Sequence, residues 1–302
     1  MSFSNFRSRR NINGCMVDLD QIIENAITED LGEGDHTSLA IFPPDVRGKA
    51  QLVVKERGKL AGVPVAEKIF RRTDPPLKLK IFKQDGADVK PGDIAFEVRG
   101  SILTILSVER VVLNFMQRLS GIATATSEFI FQMKGLKTQI LDTRKTTPNL
   151  RELEKYAVRV GGGINHRMGL YDMIMIKDNH VDFAGGIEPA IEKVNSYLHR
   201  HNRKLKIEIE VRNFEELLEV LDVGKVDRIM LDNFSVEDLG SAVKLVRGRF
   251  ETEASGGIRL QNIRQYAETG VDFISVGSLT HSFRSLDMSL KAKRQSLIEE
   301  EE

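Results

Sequence analysis

The chain has 302 residues, with 44 Lys+Arg against 44 Asp+Glu and a formal net charge of zero. That balance argues against a nucleic-acid partner, which selects a basic surplus or a basic face. The short runs Arg7 to Arg10 and Glu299 to Glu302 read as solvated tails. A single cysteine, Cys15, excludes an internal disulfide and a cysteine-rich zinc site. No apolar run approaches the roughly 18 residues of a membrane span, and the N-terminus lacks the apolar core of a secretory signal. A soluble, cytoplasmic protein is expected, with no membrane partner.

In chain order, Asp18 to Asp30 carries Leu19, Ile22, Ile23, Ala26 and Ile27 at helical spacing, which predicts an amphipathic helix. Leu31 to Thr37 follows as a turn-rich loop, where Asp35 and His36 suit an Asx-type turn better than a binding site. Short strands are expected over Ala50–Lys55, Leu77–Phe82 and Ile94–Val98, with a helix over Val63–Arg72. Ser107–Met133 reads as one long helix, on which Arg110 and Asn114 lie a turn apart on one face.

The pattern then alternates. Strands are expected over Thr138–Leu141, Met173–Ile176, Lys206–Val211, Arg228–Leu231, Thr252–Ser255 and Phe273–Val276. Helices are expected over Leu150–Val160, Glu188–His201, Phe214–Asp222, Val236–Val246 and Leu260–Thr269. Asn213 and Ser235 are good helix-start residues, and Gly270 is a good stop. Such alternation argues for parallel βαβ units. Six strands fall short of the eight of a closed barrel, so the fold class is α/β, an incomplete, open barrel preceded by an α+β sandwich-like domain. A doubly wound sheet is the alternative, although no G-x-G-x-x-G opens the first unit. The expected division is 1–115, 116–285 and a C-terminal helix with an acidic tail over 286–302, packed back on the first domain.

The stretch Leu141–His180 is the least generic. It sets Arg144, Lys145, His166, Arg167 and Lys177 beside strand ends, turns and the glycines Gly161, Gly162 and Gly163. Thr147 and Pro148 suit the start of the intervening helix, and the glycines suit its end. Cations gathered this way fit a small polyanionic substrate. Further on, Glu210 and Asp232 fall at strand ends, as do Ser255-Gly256-Gly257 and Gly277-Ser278. In barrels of this kind the C-terminal strand ends converge on the site. Glu208 and Glu210 lie on one side of their strand and need partners there. Basic side chains would serve, or Glu210 with Asp232 would take Mg²⁺. The glycine loops suit either tight turns or a phosphate, the latter favoured by free backbone N–H groups at a helix start. The histidines lack metal-ligand spacing with one another.

The runs LDTRKTTPNLRELEKYAV, GGGINHRMGLYDMIMIKDNH, IEIEV, IMLDNF, EASGGI and DFISVGSLTHS resemble the quinolinate phosphoribosyltransferase family, also called carboxylating nicotinate-nucleotide pyrophosphorylases. EDLGEGDHTS and SVERVVLNFMQRLSGIAT resemble the N-terminal half of that family, so the likeness spans roughly Glu29 to Leu290. The resemblance implies transfer of the phosphoribosyl group of 5-phosphoribosyl 1-pyrophosphate to quinolinate with Mg²⁺, giving nicotinate mononucleotide, pyrophosphate and CO₂ in NAD biosynthesis. It implies that Arg144, His166, Arg167 and Lys177 surround the quinolinate carboxylates. Arg110 would join them from the neighbouring subunit of a homodimer or larger assembly. It also implies that Lys145, Glu210, Asp232, Ser255, Gly256, Gly257, Gly277 and Ser278 serve the phosphoribosyl substrate and its metal, with Lys145, Lys177, Glu210 and Asp232 as the catalytic set.

Two departures from the family pattern are visible: Asn149 stands where glycine is usual, and His36 replaces an aliphatic residue. The competing readings are a Schiff-base lyase using Lys145 or Lys177, a family paralogue in molybdenum metabolism, and a metabolite-binding regulator without catalysis.

Overall fold

The computed structural model describes residues 19–293; Cys15 and the runs at Arg7 to Arg10 and Glu299 to Glu302 lie outside the described residues. In chain order the elements are α1 (Leu19–Leu31), α2 (His36–Ile41), β1 (Arg47–Val54), β2 (Gly58–Lys59), α3 (Val63–Arg72), β3 (Lys78–Ile81), β4 (Asp88–Val89), β5 (Ile94–Ser101) and α4 (Ile102–Gln132). There follow β6 (Gln139–Leu141), α5 (Arg151–Val160), β7 (Ile174–Ile176), α6 (Asp178–Ala184), α7 (Ile187–Arg200) and β8 (Ile207–Val211). The chain continues with α8 (Phe214–Val223), β9 (Arg228–Asp232), α9 (Val236–Val246), β10 (Glu251–Ser255), α10 (Ile263–Glu268), β11 (Phe273–Ser275), α11 (Ser278–His281) and β12 (Met288–Lys293). These elements form two compact units.

Among the described residues, the first unit takes Leu19–Thr124, then Pro148–Gly161, then Phe283–Lys293. Its four-stranded sheet has the order β12-β1-β5-β3 and is antiparallel throughout. Leu52 and Val54 alternate inward along β1 and are fully buried, as are Ile69 and Phe70 of α3. Phe70 meets Phe96 of β5 edge-to-face at 5.7 Å, the arrangement that aromatic quadrupoles favour. Asp85 caps α3 from a distant loop, accepting from the N–H groups of Gly62 and Val63 at 2.8 and 2.9 Å. The Tyr156 hydroxyl on α5 donates to the same carboxylate at 2.7 Å. Burial pushes the Asp85 carboxyl up, against these hydrogen bonds, and pushes the Tyr156 phenol up as well.

The domain boundaries differ from those expected. Helix α4 runs straight through residue 115, and the first unit extends to Thr124. Helix α5, expected among the barrel helices, belongs to the first unit, where its fully buried Glu154 accepts from Arg118 Nε at 3.0 Å. Of the C-terminal helix expected over 286–302, residues 294–302 lie outside the described residues, and the described part is corrected. Met288–Lys293 is a strand, paired antiparallel with β1 from Val54↔Met288 to Lys49↔Lys293. Alternation explains it: Met288 and Leu290 are buried, and Ser289 between them is half-buried.

The second unit, Ala125–Thr147 with Gly162–Ser282, holds a parallel six-stranded sheet of order β6-β11-β10-β9-β8-β7. Its edge strands β6 and β7 do not pair, so the barrel is open, as expected. Helix starts follow the sequence signals: Asn213 accepts from Glu216 N–H at 2.9 Å, and Ser235 from Asp238 N–H at 3.1 Å. The start of α5 departs from them. Its N-cap is Leu150, without a side-chain cap, and Thr147 and Pro148 lie further upstream. Asn149 has φ 65°, the left-handed region that glycine and asparagine tolerate best. The departure from the family's glycine therefore preserves the backbone the position requires. The loop at Asp35 is a cap, with Ser38 N–H donating to its side chain at 3.1 Å at the start of α2. The short helices α2, α6 and α11 have too few residues to show a period in sequence.

A side-chain methyl at Gly121 would overlap the backbone carbonyl of Arg284, whereas one at Gly240, inside α9, would meet nothing closer than 3.9 Å. Gly121→Ala should lower the thermal unfolding midpoint, while Gly240→Ala should raise stability by about 0.5–1 kcal/mol through helix propensity. Thermal unfolding of both variants beside the parent checks the pair.

Candidate active site

Most of the charged and glycine residues singled out in the second unit close or follow its strands; His166 and Arg167, on the segment after the glycine run, do not. Lys177 follows β7 directly, Glu210 is next to last in β8, Asp232 ends β9 and Ser255 ends β10. Arg144 and Lys145 follow β6 by three and four positions, and Gly277 follows β11 by two. Arg110 belongs to the first unit. It is exposed on α4 with Asn114, while Val111, Val112 and Leu113 are buried.

The basic pair His166-Arg167 is placed by the return of the chain from the glycine run. Ile164 makes a single parallel bridge to Leu141, and its N–H donates to Ile140 O at 2.9 Å. This extension of the sheet edge brings the next residues beside Asp142. The fully buried Asp142 carboxylate accepts from Asn165 Nδ2 at 2.5 Å and from His166 N–H at 2.8 Å. Asp172 shapes the following turn, accepting from the N–H groups of Met168 and Gly169 at 2.7 and 2.9 Å. The Arg167 guanidinium reaches Met173 O at 3.3 Å. Burial, and then the neighbouring charge of Arg144, hold it below the usual arginine value. Two guanidiniums are thus kept within range of each other's repulsion at one rim.

Lys177 and Glu210 form an ion pair at 2.6 Å. A basic partner of the kind expected for Glu210 is thus present in Lys177. The backbone N–H of Lys177 donates to His180 Nδ1 at 2.9 Å, which fixes the start of α6. Across the rim, Asp232 accepts from Ser255 Oγ and from Asn233 Nδ2, both at 2.6 Å. Gly256, with φ 90°, packs so closely on Asn233 that a side chain there would overlap the Asn233 amide. Gly277 lies against the Lys145 side chain, and Thr280 Oγ1 donates to Lys145 O at 2.8 Å. The Lys145 and Gly277 loops are therefore bound to each other. The glycine loops are close-approach turns whose neighbours are the rim carboxylate Asp232 and the rim cation Lys145.

Below the rim, inside the sheet, lies a layer that sequence reading only half found. Glu208 and Glu253 are fully buried, with Arg228 and His166 nearly so. Arg228 Nη1 is 2.9 Å from Glu253 Oε2, Arg228 Nη2 is 3.0 Å from Glu251, and its guanidinium stacks 4.0 Å over Phe273. His166 Nε2 is 2.9 Å from Glu208 Oε2 and 3.5 Å from Glu253 Oε2. Burial pushes the Glu208 carboxyl up, and Glu253 adds to it, to about 7. Burial disfavours a charged imidazole at His166 and the two carboxylates favour it, but Nδ1 accepts a backbone N–H and so carries no proton in this geometry, which leaves a neutral ring with its proton on Nε2. His166, Glu208 and Glu253 also have the atom types of a metal site. Arg228 already supplies positive charge to Glu253, so the group reads as an ion cluster. The need of Glu208 for a partner was visible from its place two residues before Glu210. Asp142, Arg228 and Glu253 had no signal beyond a charge within or beside an apolar strand.

Comparison with known proteins accords with this geometry. The family model described as the quinolinate phosphoribosyl transferase C-terminal domain matches residues 122–291, and that of the N-terminal domain matches 35–120. The chain is 44% identical over 297 residues to a tobacco (Nicotiana tabacum) protein named quinolinate phosphoribosyltransferase [decarboxylating] 2b, mitochondrial, covering 93% of this chain and 84% of that one. It is 42% identical to a probable carboxylating nicotinate-nucleotide pyrophosphorylase of Bacillus subtilis, covering 91% and 93%. The crystal structure of NadC from Streptococcus pyogenes superposes with a TM-score of 0.86 at 40% identity, covering 90% of this chain and 95% of that one. These names correct one expectation. The tobacco relative is called mitochondrial and an Arabidopsis thaliana relative chloroplastic, so a cytoplasmic location does not follow. Among the described residues no helix is long and apolar enough to cross a membrane. The chain belongs to the quinolinate phosphoribosyltransferase family.

Proposed function

We propose that this chain transfers the phosphoribosyl group of 5-phosphoribosyl 1-pyrophosphate to quinolinate with loss of CO₂, giving nicotinate mononucleotide and pyrophosphate. The observation that carries the reading is the gathering of Arg144, Lys145 and Lys177 with Glu210 and Asp232 at the C-terminal strand ends of one sheet, where Arg167 also feels the charge of Arg144. A guanidinium holds a carboxylate by two parallel hydrogen bonds, a geometry that lysine cannot reproduce. Arg144, Arg167 and Lys177 would take the two carboxylates of quinolinate and set its ring nitrogen toward the sugar C1. Lys145 and the glycine loops at Ser255–Gly257 and Gly277–Ser278 would take the phosphate groups.

Cleavage at such a sugar carbon develops oxocarbenium-like positive charge. Glu210 and Asp232 stand at adjacent strand ends on the same rim, where they would stabilise that charge. They are also oxygen donors of the kind Mg²⁺ takes, with substrate phosphates and water completing the sphere. Mg²⁺ bound there would neutralise charge on the departing pyrophosphate. Beyond this the protein's work is positioning, and no nucleophilic side chain is required. The Schiff-base alternative loses ground, because the Lys177 Nζ is already engaged by Glu210 at 2.6 Å.

Arg110 completes the reading. Its exposed place on α4, within the family run SVERVVLNFMQRLSG, supports a role in the quinolinate site of a neighbouring subunit in a homodimer or larger assembly.

Purified protein supplied with quinolinate, 5-phosphoribosyl 1-pyrophosphate and Mg²⁺ should release CO₂ and form the mononucleotide, and chelation of the metal should stop it. Turnover of nicotinate without turnover of quinolinate would sink the assignment. Arg167→Ala should lower kcat/KM for quinolinate by about 100-fold or more, since two charge-assisted bonds contribute about 1.5–3 kcal/mol each. For Arg110, mixing inactive Arg110→Ala and Lys177→Ala proteins should restore partial activity once subunits exchange. A mixture that exchanges and stays inactive removes the shared-site idea.

A further inference from the structure

The resemblance places His166 among the quinolinate ligands, yet both of its ring nitrogens face protein groups. Nε2 points at Glu208 Oε2, 2.9 Å away, and at Glu253 Oε2, 3.5 Å away. The closer contact lies off the line of an ideal hydrogen bond, so it is chiefly electrostatic. Nδ1 accepts the backbone N–H of Arg167 at 2.7 Å. The side chain is 5% exposed. The groups around it are Glu208 from β8, Glu253 from β10, Asp142 after β6 on its own N–H, and Arg167 on its own segment. Glu208 and Glu253 have no exposed surface and cannot touch a substrate at the rim. Arg228, bound to Glu253 and stacked on Phe273, anchors the carboxylates in turn.

We propose that His166 is a positioning residue and not a quinolinate ligand. Glu208 and Glu253, backed by Arg228, hold its ring turned into the sheet, and its Nδ1 fixes the peptide of Arg167, whose guanidinium meets the acid. The inference rests on the quinolinate reading above, and it adds Glu208, Glu253 and Arg228 to the residues on which acid binding depends. The physical logic is that of an oriented imidazole: the partner at one ring nitrogen decides what the other can do. A guanidinium aims a bidentate grip only if its backbone is fixed, and here one ring atom does the fixing.

The test is nuclear magnetic resonance of protein carrying ¹⁵N-labelled histidine, with His166→Gln to assign the signal among the six histidines. The Nε2 proton of His166 should exchange slowly with solvent in the free protein. Its nitrogen shift should hold still as quinolinate reaches saturation, with binding followed independently by calorimetry. Glu208→Gln, remote from any substrate, should move that signal. It should also raise the quinolinate KM about tenfold while leaving the phosphoribosyl pyrophosphate KM within about twofold. His166→Gln, which keeps a donor for the carboxylates, should retain more quinolinate affinity than His166→Ala.

A nitrogen shift that tracks quinolinate saturation overturns the proposal, as does a Glu208→Gln enzyme with an unchanged quinolinate KM. Should Glu208→Gln not fold, Glu253→Gln gives the same two readouts. If calorimetry shows no quinolinate binding, the proposed function fails, while fast exchange of the Nε2 proton in the free protein would separately refute the positioning role.

Discussion

Carboxylates taken out of water cost several kcal/mol each unless cations meet them inside, and the second unit is arranged around meeting that demand. Glu208 and Glu253 project from neighbouring regions of the sheet into its interior, where each is fully buried. Arg228, in register with Glu208 on the adjacent strand, answers part of the demand from within the sheet. The rest is met by the ring Nε2 of a residue that is not on any strand. To deliver His166 there, the chain must come back from the glycine run along the edge of β6, which the Ile164–Leu141 bridge and Asp142 arrange. Satisfying the buried charges therefore dictates the path of the loop that carries Arg167.

The rim above this layer divides by chemistry. The ends of β6 and β7 offer Arg144, Lys145 and Lys177, and the later strand ends offer carboxylates and glycines. The halves are not independent. The Lys177–Glu210 pair joins a cation of the first to a carboxylate of the second, and Thr280 holds the Lys145 carbonyl at the seam where the sheet's first loop meets its last.

Most of this was legible in the sequence because periodicity and punctuation agreed. The strand predictions for the second unit fall within two residues of those found, since parallel strands read as short apolar runs bounded by turns. Val63–Arg72 and Val236–Val246 were read to the residue, helped at the latter by Ser235. What escaped had tertiary causes. Met288–Lys293 is too short and too basic to announce a strand, and it is one because β1 offers an edge. Helix α5 has an amphipathic stripe, but a stripe does not say which core it joins. Glu253 sits in ETEAS, which reads as a half-exposed strand until Arg228 and His166 are found beside it.

The make-up of the first unit bears on how the molecule is made. Its sheet ends with a strand drawn from residues 288–293, and its core includes a helix from residues 151–160. As the polypeptide leaves the ribosome, the N-terminal portion has three of its four sheet strands and must wait, with one flank of β1 unpaired, until residues 288–293 have emerged. The second unit, complete by Ser282, needs nothing that is synthesised later. The portion made first is the portion finished last, and during that interval the open flank of β1 is a site where a nascent chain can pair wrongly.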